Sequence, residues 1–450
     1  MDRRVHTIRR VLANLLANLL ACASVLSARC AVSQTQQGAT SEPQAVAVTS
    51  GVTYELLGTY DHARLNTIVT DELVREKFTD APPTELLQPR YAVDLYRVTY
   101  PSVIPELGNR PTIASGLLAI PRGAGDTLSV VSYQHGTVFS KTAVPSFPEE
   151  SMETRLVIAQ FASRGCVVVA ADYFGKGLST EPDSYLVKNS TQQACLDMLG
   201  ASGRVLLSMK ITPRELFLLG WSQGGWATLV FLEKLEEVGI AVSAAATASA
   251  PADVYLAVQR WVNNPQPIDA IYLPGVLALQ ILAYEHYSAA AGFADHAIRA
   301  QYIEACRYLH ANRIDWTTFR AKTPALAKDL LRPEFIASGM TGDQGYWHDL
   351  QEEHGYRWRS HTPLRCYFGE KDEVVPPAIA KLPEQYHAVL GGGPTRSIAA
   401  GAEADHRATF LFSVHDASRW FEALVTEHAA RAASTNSAEL REHERDPALP

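Results

Sequence analysis

Residues 216–225 read LFLLGWSQGG, and this stretch decides the fold. The short apolar run at 216–219 predicts a buried strand, and a helical pattern follows at 226–237. A Gly-x-Ser-x-Gly sequence between a strand and a helix is typical of a sharp, strained turn that lifts its serine above the edge of a sheet. Ser222 is therefore the predicted nucleophile, the alternative being a glycine-rich turn with a solvent-facing serine.

Similar apolar runs occur on both sides of this stretch. They predict buried parallel strands at 128–133, 166–171, 242–248, 364–368 and 396–399, after two half-exposed antiparallel strands at 91–98 and 112–120. Helical patterns alternate with these runs at 152–163, 192–209, 226–237 and 417–427. Strand and helix alternation predicts an α/β fold with a doubly wound, mostly parallel sheet, in which ligands bind beyond the carboxyl ends of the strands.

A serine hydroxyl becomes a nucleophile when an imidazole takes its proton, and a carboxylate must orient that imidazole. His406 directly follows the strand predicted at 396–399 and is the predicted base. His415 is the alternative, but it falls inside the final helical pattern between Phe412 and Trp420, where a structural histidine is expected.

The carboxylate is expected in the loop after the strand at 364–368. This loop reads GEKDEVVP, residues 369–376, and places Asp372 at its centre. Asp372 is the predicted acid, with Glu370 and Glu373 as alternatives in the same charged run.

An acyl-transfer intermediate also needs two backbone donors for its oxyanion. The amide of Gln223 directly follows the nucleophile. The loop after the strand at 128–133 reads QHGT, and its Gly136 and Thr137 are the predicted source of the second donor. An ordinary turn at the end of a strand is the alternative reading of this loop.

Four segments together resemble the secretory lipase and related bacterial esterase family of the α/β-hydrolase superfamily. They are YQHGT at 133–137, ADYFGKG at 171–177, the stretch at 220–225 and the loop at 369–377. The resemblance implies a triad of Ser222, Asp372 and His406 that cleaves esters through an acyl-enzyme. Trp221 stands where that family usually has tyrosine, and this difference is expected to alter the shape of the acyl pocket.

About a hundred residues of mainly helical pattern, 252–360, separate two of the predicted strands. This inserted segment is predicted to be a helical cap over the nucleophile. It holds 15 of the chain's 39 aromatic residues. The rings are expected either to form the core of the segment or to line a substrate pocket; the candidate pocket residues are Tyr255, Trp261 and Trp347, together with His135 and Trp221.

The remaining domain boundaries follow from composition. The hydrolase core is predicted at 51–251 and 361–430, with a flexible lead-in at 34–50 and a flexible tail at 431–450. Four arginines precede a charge-free run at 11–26, which predicts a signal peptide at 1–33 cleaved after Ser33, with Ser27 as the competing site. A lipoprotein-like sequence that ends at Cys22 offers lipid anchoring as an alternative. The expected location is secreted or periplasmic, without a transmembrane span in the mature protein.

Composition excludes several classes of protein. With 47% hydrophobic and 20% charged residues, the chain is globular rather than disordered, and a net charge of −8 argues against nucleic acid as a partner. Beyond the leader, Cys166, Cys195, Cys306 and Cys366 are either paired or small buried thiols. Acyl transfer needs no metal or organic cofactor. The expected substrate is a small apolar or aromatic ester; a peptidase or amidase, and a silent binding protein, remain alternatives.

Overall fold

The computed structural model of the protein describes residues 45–80, 85–340 and 345–443. The predicted signal peptide at 1–33, with Cys22, and most of the lead-in at 34–50 lie outside these ranges. The described ranges cover the predicted core apart from 81–84 and the inserted segment apart from 341–344.

The strands within the described ranges form a single sheet. In chain order they are β1 Val46–Ala47, β2 Thr53–Tyr60, β3 Val93–Ile104, β4 Arg110–Pro121, β5 Thr127–Gln134, β6 Val167–Ala171, β7 Thr212–Trp221, β8 Ala244–Ala248, β9 Leu364–Phe368 and β10 Thr395–Ala399. Across the sheet the order is β1-β2-β3-β4-β6-β5-β7-β8-β9-β10. The pairs β1–β2, β2–β3, β3–β4 and β4–β6 are antiparallel, and the remaining neighbours in this order pair in parallel.

Helices pack on both faces of this sheet. Those of the core are His62–Thr67, Leu73–Arg75, Met152–Gln160, Lys188–Ser208, Gln223–Glu237, Pro377–Ala380, Leu382–Leu390 and His406–His443, with a π-helical turn at Ile68–Glu72 and single 3₁₀ turns at Pro105–Leu107, Pro148–Glu150 and Ala162–Arg164. Successive residues of a strand point to opposite faces. Accordingly Val130 and Leu218 pack with one cluster of buried side chains, and Val131 and Phe217 with the other.

The inserted segment is helical, as expected. Its helices are Val254–Asn263, Leu273–Tyr287, Phe293–Ala297, Ala300–His310, Trp316–Lys322, Ala327–Leu330, Pro333–Met340 and Tyr346–Glu352. Asp253 caps the first of them: its side chain accepts a 2.9 Å hydrogen bond from the amide of Leu256. Leu273–Tyr287 is almost wholly buried, which fits a central helix around which the others pack.

The structure departs from the sequence-based expectation mainly at the antiparallel end of the sheet. β1 and β2 were not expected; Val46 and Ala47 fall in the predicted lead-in, and β2 is half exposed and lacks a continuous apolar run. β3 and β4 extend beyond the predicted strands because they pair with each other over their full lengths, around a turn in which Gly108 takes a φ of 67°. The last helix begins at His406 and continues to His443, into the predicted tail.

The cysteine alternatives are resolved for the described residues. Cys166, Cys195, Cys306 and Cys366 are all free thiols, and burial raises the pKa of Cys166, Cys306 and Cys366 to about 12. They pack as small apolar side chains. No helix within the described ranges combines the length and apolarity needed to cross a membrane.

Candidate active site

Ser222 lies at a sharp turn between β7 and the helix Gln223–Glu237. Its backbone has a φ of 58° and a ψ of −123°, a conformation that a residue with a side chain rarely adopts. A Cβ atom at Gly224 would lie 1.9 Å from the carbonyl oxygen of Gln134, and one at Gly220 would lie 2.1 Å from the carbonyl oxygen of Gly224. Only glycine fits at these two positions, which explains why the turn needs glycine on both sides of the serine.

His406 and Asp372 form a buried pair. The Nδ1 atom of His406 lies 2.9 Å from Oδ1 and 3.0 Å from Oδ2 of Asp372, and the amides of Val374 and Val375 donate to the same Oδ1 at 2.9 and 2.8 Å. Because the carboxylate accepts a hydrogen bond from Nδ1–H, Nε2 is left as the proton-accepting nitrogen of a neutral imidazole. This is the arrangement that a general base requires.

Charge around His406 favours its protonated form. Burial by itself lowers the pKa of His406, but the carboxylates of Asp372, Glu373 and Asp405 outweigh burial and hold the pKa above its ordinary value. Burial likewise tends to raise the pKa of Asp372, but His406 and the surrounding hydrogen bonds hold this pKa below its ordinary value. Asp372 is therefore ionised at neutral pH, beside an imidazole that can carry a proton.

The three acidic candidates of the loop after β9 have different surroundings. Asp372 contacts the imidazole, Glu373 accepts the backbone amide of His406 at 3.0 Å, and Glu370 is exposed. Glu373 thus holds the first residue of the last helix in place. Glu370 makes no contact with His406 within the described residues.

Trp221 joins the turn of Ser222 to His406. Its Nε1 donates a 3.1 Å hydrogen bond to the carbonyl oxygen of His406, and the two ring centroids lie 5.0 Å apart. The Trp221 ring also stacks on Phe410, with centroids 4.7 Å apart. In the described part of the chain the Ser222 hydroxyl does not yet hydrogen-bond the imidazole; this contact commonly tightens only when a substrate is bound.

The loop after β5 supplies the other predicted donors. The amide of Gly136 donates a 2.6 Å hydrogen bond to Oε1 of Glu153, whereas the amide of Thr137 donates to no other group in the described ranges. Gln223 is the first residue of its helix, so its amide has no partner inside that helix. Within the described ranges the amides of Gln223 and Thr137 therefore have no hydrogen-bond partner, whereas that of Gly136 has one.

His135 bridges two loops. Its ring stacks on Tyr173 with centroids 4.3 Å apart, Nδ1 lies 2.7 Å from the carbonyl oxygen of Gly136, and Nε2 lies 3.2 Å from that of Asp172. Burial lowers the pKa of His135, which keeps it neutral. Nearby, Nζ of Lys176 donates a 3.2 Å hydrogen bond to the carbonyl oxygen of Val138. These contacts tie the 171–177 loop to the 134–137 loop.

The predicted pocket aromatics of the inserted segment have different partners. Trp347 packs against Phe335 and Tyr255, and its Nε1 donates to the Phe335 carbonyl at 3.2 Å. The Tyr255 hydroxyl donates to the carbonyl of Gly339 at 3.0 Å. Both rings therefore lie in the core of the segment. Trp261 instead donates from Nε1 to the carbonyl of Val374 at 2.8 Å and supports the loop of Asp372.

Sequence reasoning missed the aromatic residues that lie beside the site. The ring of Trp316 stacks on Phe139, two residues beyond Thr137, with centroids 4.6 Å apart. The hydroxyl of Tyr185 is 2.6 Å from Oγ1 of Thr137. Tyr272 is close enough to Glu373 and Asp372 for burial and then their charges to raise its pKa. Their aromatic character was visible in the sequence, but the positions of Trp316 and Tyr272 depend on how the inserted segment packs against the core.

The sheet order and the placement of these residues at its carboxyl edge define an α/β-hydrolase fold, which confirms the predicted doubly wound sheet. Within the described residues no cluster of three or more His, Cys, Asp or Glu side chains is arranged to hold a metal ion.

Comparison with solved structures gives the same fold. A candidate hydrolase from Legionella pneumophila is 23% identical, with a TM-score of 0.71 over 82% of this chain and 97% of that chain. The rice cell wall degrading esterase LipA from Xanthomonas oryzae is 19% identical, with a TM-score of 0.68 over 84% and 96%. Candida antarctica lipase A in its closed state is 15% identical, with a TM-score of 0.56 over 70% and 73%. No protein-family model and no curated protein matches the sequence.

Proposed function

We propose that the protein is a serine hydrolase that cleaves carboxylic esters through an acyl-enzyme. The observation that carries the proposal is the buried contact between His406 Nδ1 and Asp372, beside a strained Ser222 that is joined to His406 through Trp221. The esterase and lipase named among the similar structures support an ester as the substrate.

In the proposed mechanism, Ser222 Oγ attacks the ester carbonyl carbon while Nε2 of His406 takes the hydroxyl proton. Asp372 accepts the Nδ1 proton as a hydrogen bond and stabilises the imidazolium that forms. The amides of Gln223 and Thr137 stabilise the oxyanion. The tetrahedral intermediate then expels the alcohol, which leaves with the proton from Nε2. Water attacks the acyl-enzyme by the same sequence of steps, which releases the carboxylic acid and returns the proton to Ser222 Oγ.

The surroundings of the site favour an apolar or aromatic acyl or alkyl group. Trp316, Phe139 and Tyr272 are partly buried beside the loops that carry Thr137 and Asp372. Apolar rings of this kind stabilise an apolar ester group by removing it from water.

For localisation we propose secretion or export to the periplasm, because the basic and apolar residues at 1–33 resemble a signal peptide.

The test is a panel of p-nitrophenyl esters of graded acyl length, measured beside an aminoacyl p-nitroanilide. We expect turnover of the esters, with little or none of the anilide, and labelling of the enzyme by a fluorophosphonate. Ser222→Ala is the matched variant: it should remain folded, lose labelling and lose turnover by about 10⁶-fold. Anilide turnover at a comparable rate would favour a peptidase or amidase, and a folded protein silent on every substrate would favour a binding protein.

A further inference from the structure

Behind the loop that offers Thr137 lies a second buried carboxyl group, that of Glu153. Glu153 is the second residue of the helix Met152–Gln160, and its residue surface is 7% exposed. Its Oε1 accepts the amide of Gly136 at 2.6 Å and also the hydroxyl of Tyr133. A side chain from a helix on one face of the sheet thus contacts the backbone of the loop at the edge of the sheet.

The contact at Gly136 decides which amide of the loop is free. A backbone amide has one hydrogen, and that of Gly136 already points to Glu153. A Cβ atom at Gly136 would lie 3.2 Å from Oε2 of Glu153 and 3.3 Å from the ring of Trp221, so glycine lets the carboxyl group, the loop and the tryptophan pack together. The loop is therefore held from behind, with the next amide, that of Thr137, unpaired.

His406 is one of the groups whose charge acts on the pKa of Glu153. The titratable groups that face it are Tyr133 from β5, Tyr173 from the loop after β6, and His406 at the start of the last helix. In the described ranges neither lysine nor arginine pairs with its carboxyl group. Burial raises the pKa of Glu153 to about 7, although Tyr133, Gly136 and His406 each act to lower it. The carboxyl group therefore titrates near neutral pH, so the variants are compared at the pH optimum of each.

We propose that Glu153 is a positioning residue: its carboxyl group fixes the Gly136 amide, so that Thr137 rather than Gly136 supplies the oxyanion donor. This inference rests on the proposed function. It assigns a role to a carboxylate that lies outside the triad and that touches no reacting atom.

The experiment compares Glu153→Gln and Glu153→Leu with Glu353→Gln and Glu353→Leu. Glu353 is a suitable control because it is another carboxyl group whose pKa is raised by burial and which accepts a backbone amide, that of Lys188 at 2.8 Å. The kinetic constants for a p-nitrophenyl ester are measured from pH 5 to 9, and the melting temperature of every variant is recorded.

Glutamine keeps an acceptor for Gly136 and removes the charge. Glu153→Gln should therefore hold kcat at its optimum within about threefold, because the donor geometry remains. Glu353→Gln should likewise change kcat by less than about threefold. Glu153→Leu removes the acceptor, and kcat should fall about 10²-fold with KM changed by less than about threefold, as when an oxyanion donor is misplaced.

A kcat for Glu153→Leu equal to that of Glu353→Leu, or a loss in Glu153→Gln as large as in Glu153→Leu, overturns the inference and leaves the proposed function standing. The NMR shift of the Gly136 amide proton gives a readout that needs no substrate, because this proton is bonded to a carboxyl oxygen and should move upfield in Glu153→Leu. If the wild type hydrolyses no ester, the proposed function fails, and an unchanged Gly136 amide shift in Glu153→Leu would overturn the inference independently.

Discussion

The indole Nε1 of Trp221 donates a 3.1 Å hydrogen bond to the carbonyl oxygen of His406. Trp221 precedes Ser222 in the chain, and the start of the last helix is otherwise held by Asp372 and by Glu373. This bond therefore connects the strand that ends beside Ser222, the proposed nucleophile, to His406, the proposed base. Relative displacement of the two by 1 Å would be enough to impair proton transfer.

Trp221→Phe should lower kcat/KM for a short ester by about 3–10-fold, the equivalent of one lost hydrogen bond. Phenylalanine can keep the stacking on Phe410 and loses only the donor. Trp358→Phe is the control, because it removes a comparable donor to Glu236 away from Ser222 and His406. Equal kinetic constants for Trp221→Phe and wild type, at equal melting temperature, would mean that the bond does not align the two residues.

The carboxylate loop gives a second prediction, in which three neighbouring residues are changed one at a time. Asp372→Asn should reduce turnover by about 10⁴-fold, because the amide holds His406 in the wrong tautomer. Glu370→Gln should have no effect, since Glu370 is exposed. Glu373→Gln should change turnover by less than about threefold, because glutamine can still accept the amide of His406. Steady-state kinetics on one ester suffices, and a large loss at Glu373 alone would transfer the role of acid to that residue.

Much of the candidate site could be predicted from sequence for a local reason. The turn at Ser222 is specified by residues within five positions of each other, and Asp372 and His406 lie in loops after parallel strands whose carboxyl ends meet at one edge of the sheet. Such features can be recognised in a sequence without knowledge of tertiary packing. The predicted parallel strands were accordingly found close to their expected positions. The strand before His406 is a half-exposed edge strand and not the buried one that was predicted.

Glu153 and Tyr272 could not be found in the same way. In sequence Glu153 is one acidic residue in the first turn of a helix, where carboxylates are common. Its burial depends on how that helix packs against β5 and on a glycine that leaves room for it. Tyr272 approaches Asp372 only because the inserted segment returns over the sheet. β2 was missed because a half-exposed edge strand lacks the apolar run that marks a buried one.

The inserted segment offers a third prediction, which separates a ring of its core from a ring beside the site. Trp347→Ala should destabilise the protein by about 3–5 kcal/mol and weaken all esters in parallel, because the ring is buried against Phe335 and Tyr255. Trp316→Ala should instead change the ratio of kcat/KM between a long and a short ester about tenfold, because its partner Phe139 follows the loop of Thr137. Melting temperatures and two esters distinguish the cases. A change of ratio in Trp347→Ala, with none in Trp316→Ala, would reverse the assignment.

The last prediction concerns the pH dependence of stability at Glu353. Burial raises the pKa of this carboxyl group to about 8, although Lys188 acts to lower it. In the unfolded chain the group ionises near pH 4.5, so between about pH 4.5 and 8 the folded protein retains a proton that the unfolded chain releases. The contribution of Glu353 to stability is therefore greatest at low pH and is lost as pH rises through this window.

Glu353→Gln cannot ionise, and its side-chain oxygen can still accept the amide of Lys188. The stability of this variant relative to wild type should therefore increase between pH 5 and pH 8.5, by on the order of 3 kcal/mol in the free energy of unfolding. Denaturant melts at the two pH values measure this difference. Glu237→Gln serves as the control, because the side chain of Glu237 is exposed beside Lys234 and its removal should give a flat difference. A flat difference for Glu353→Gln would mean that the carboxyl group is ionised in the folded protein, compensated by the nearby Lys188.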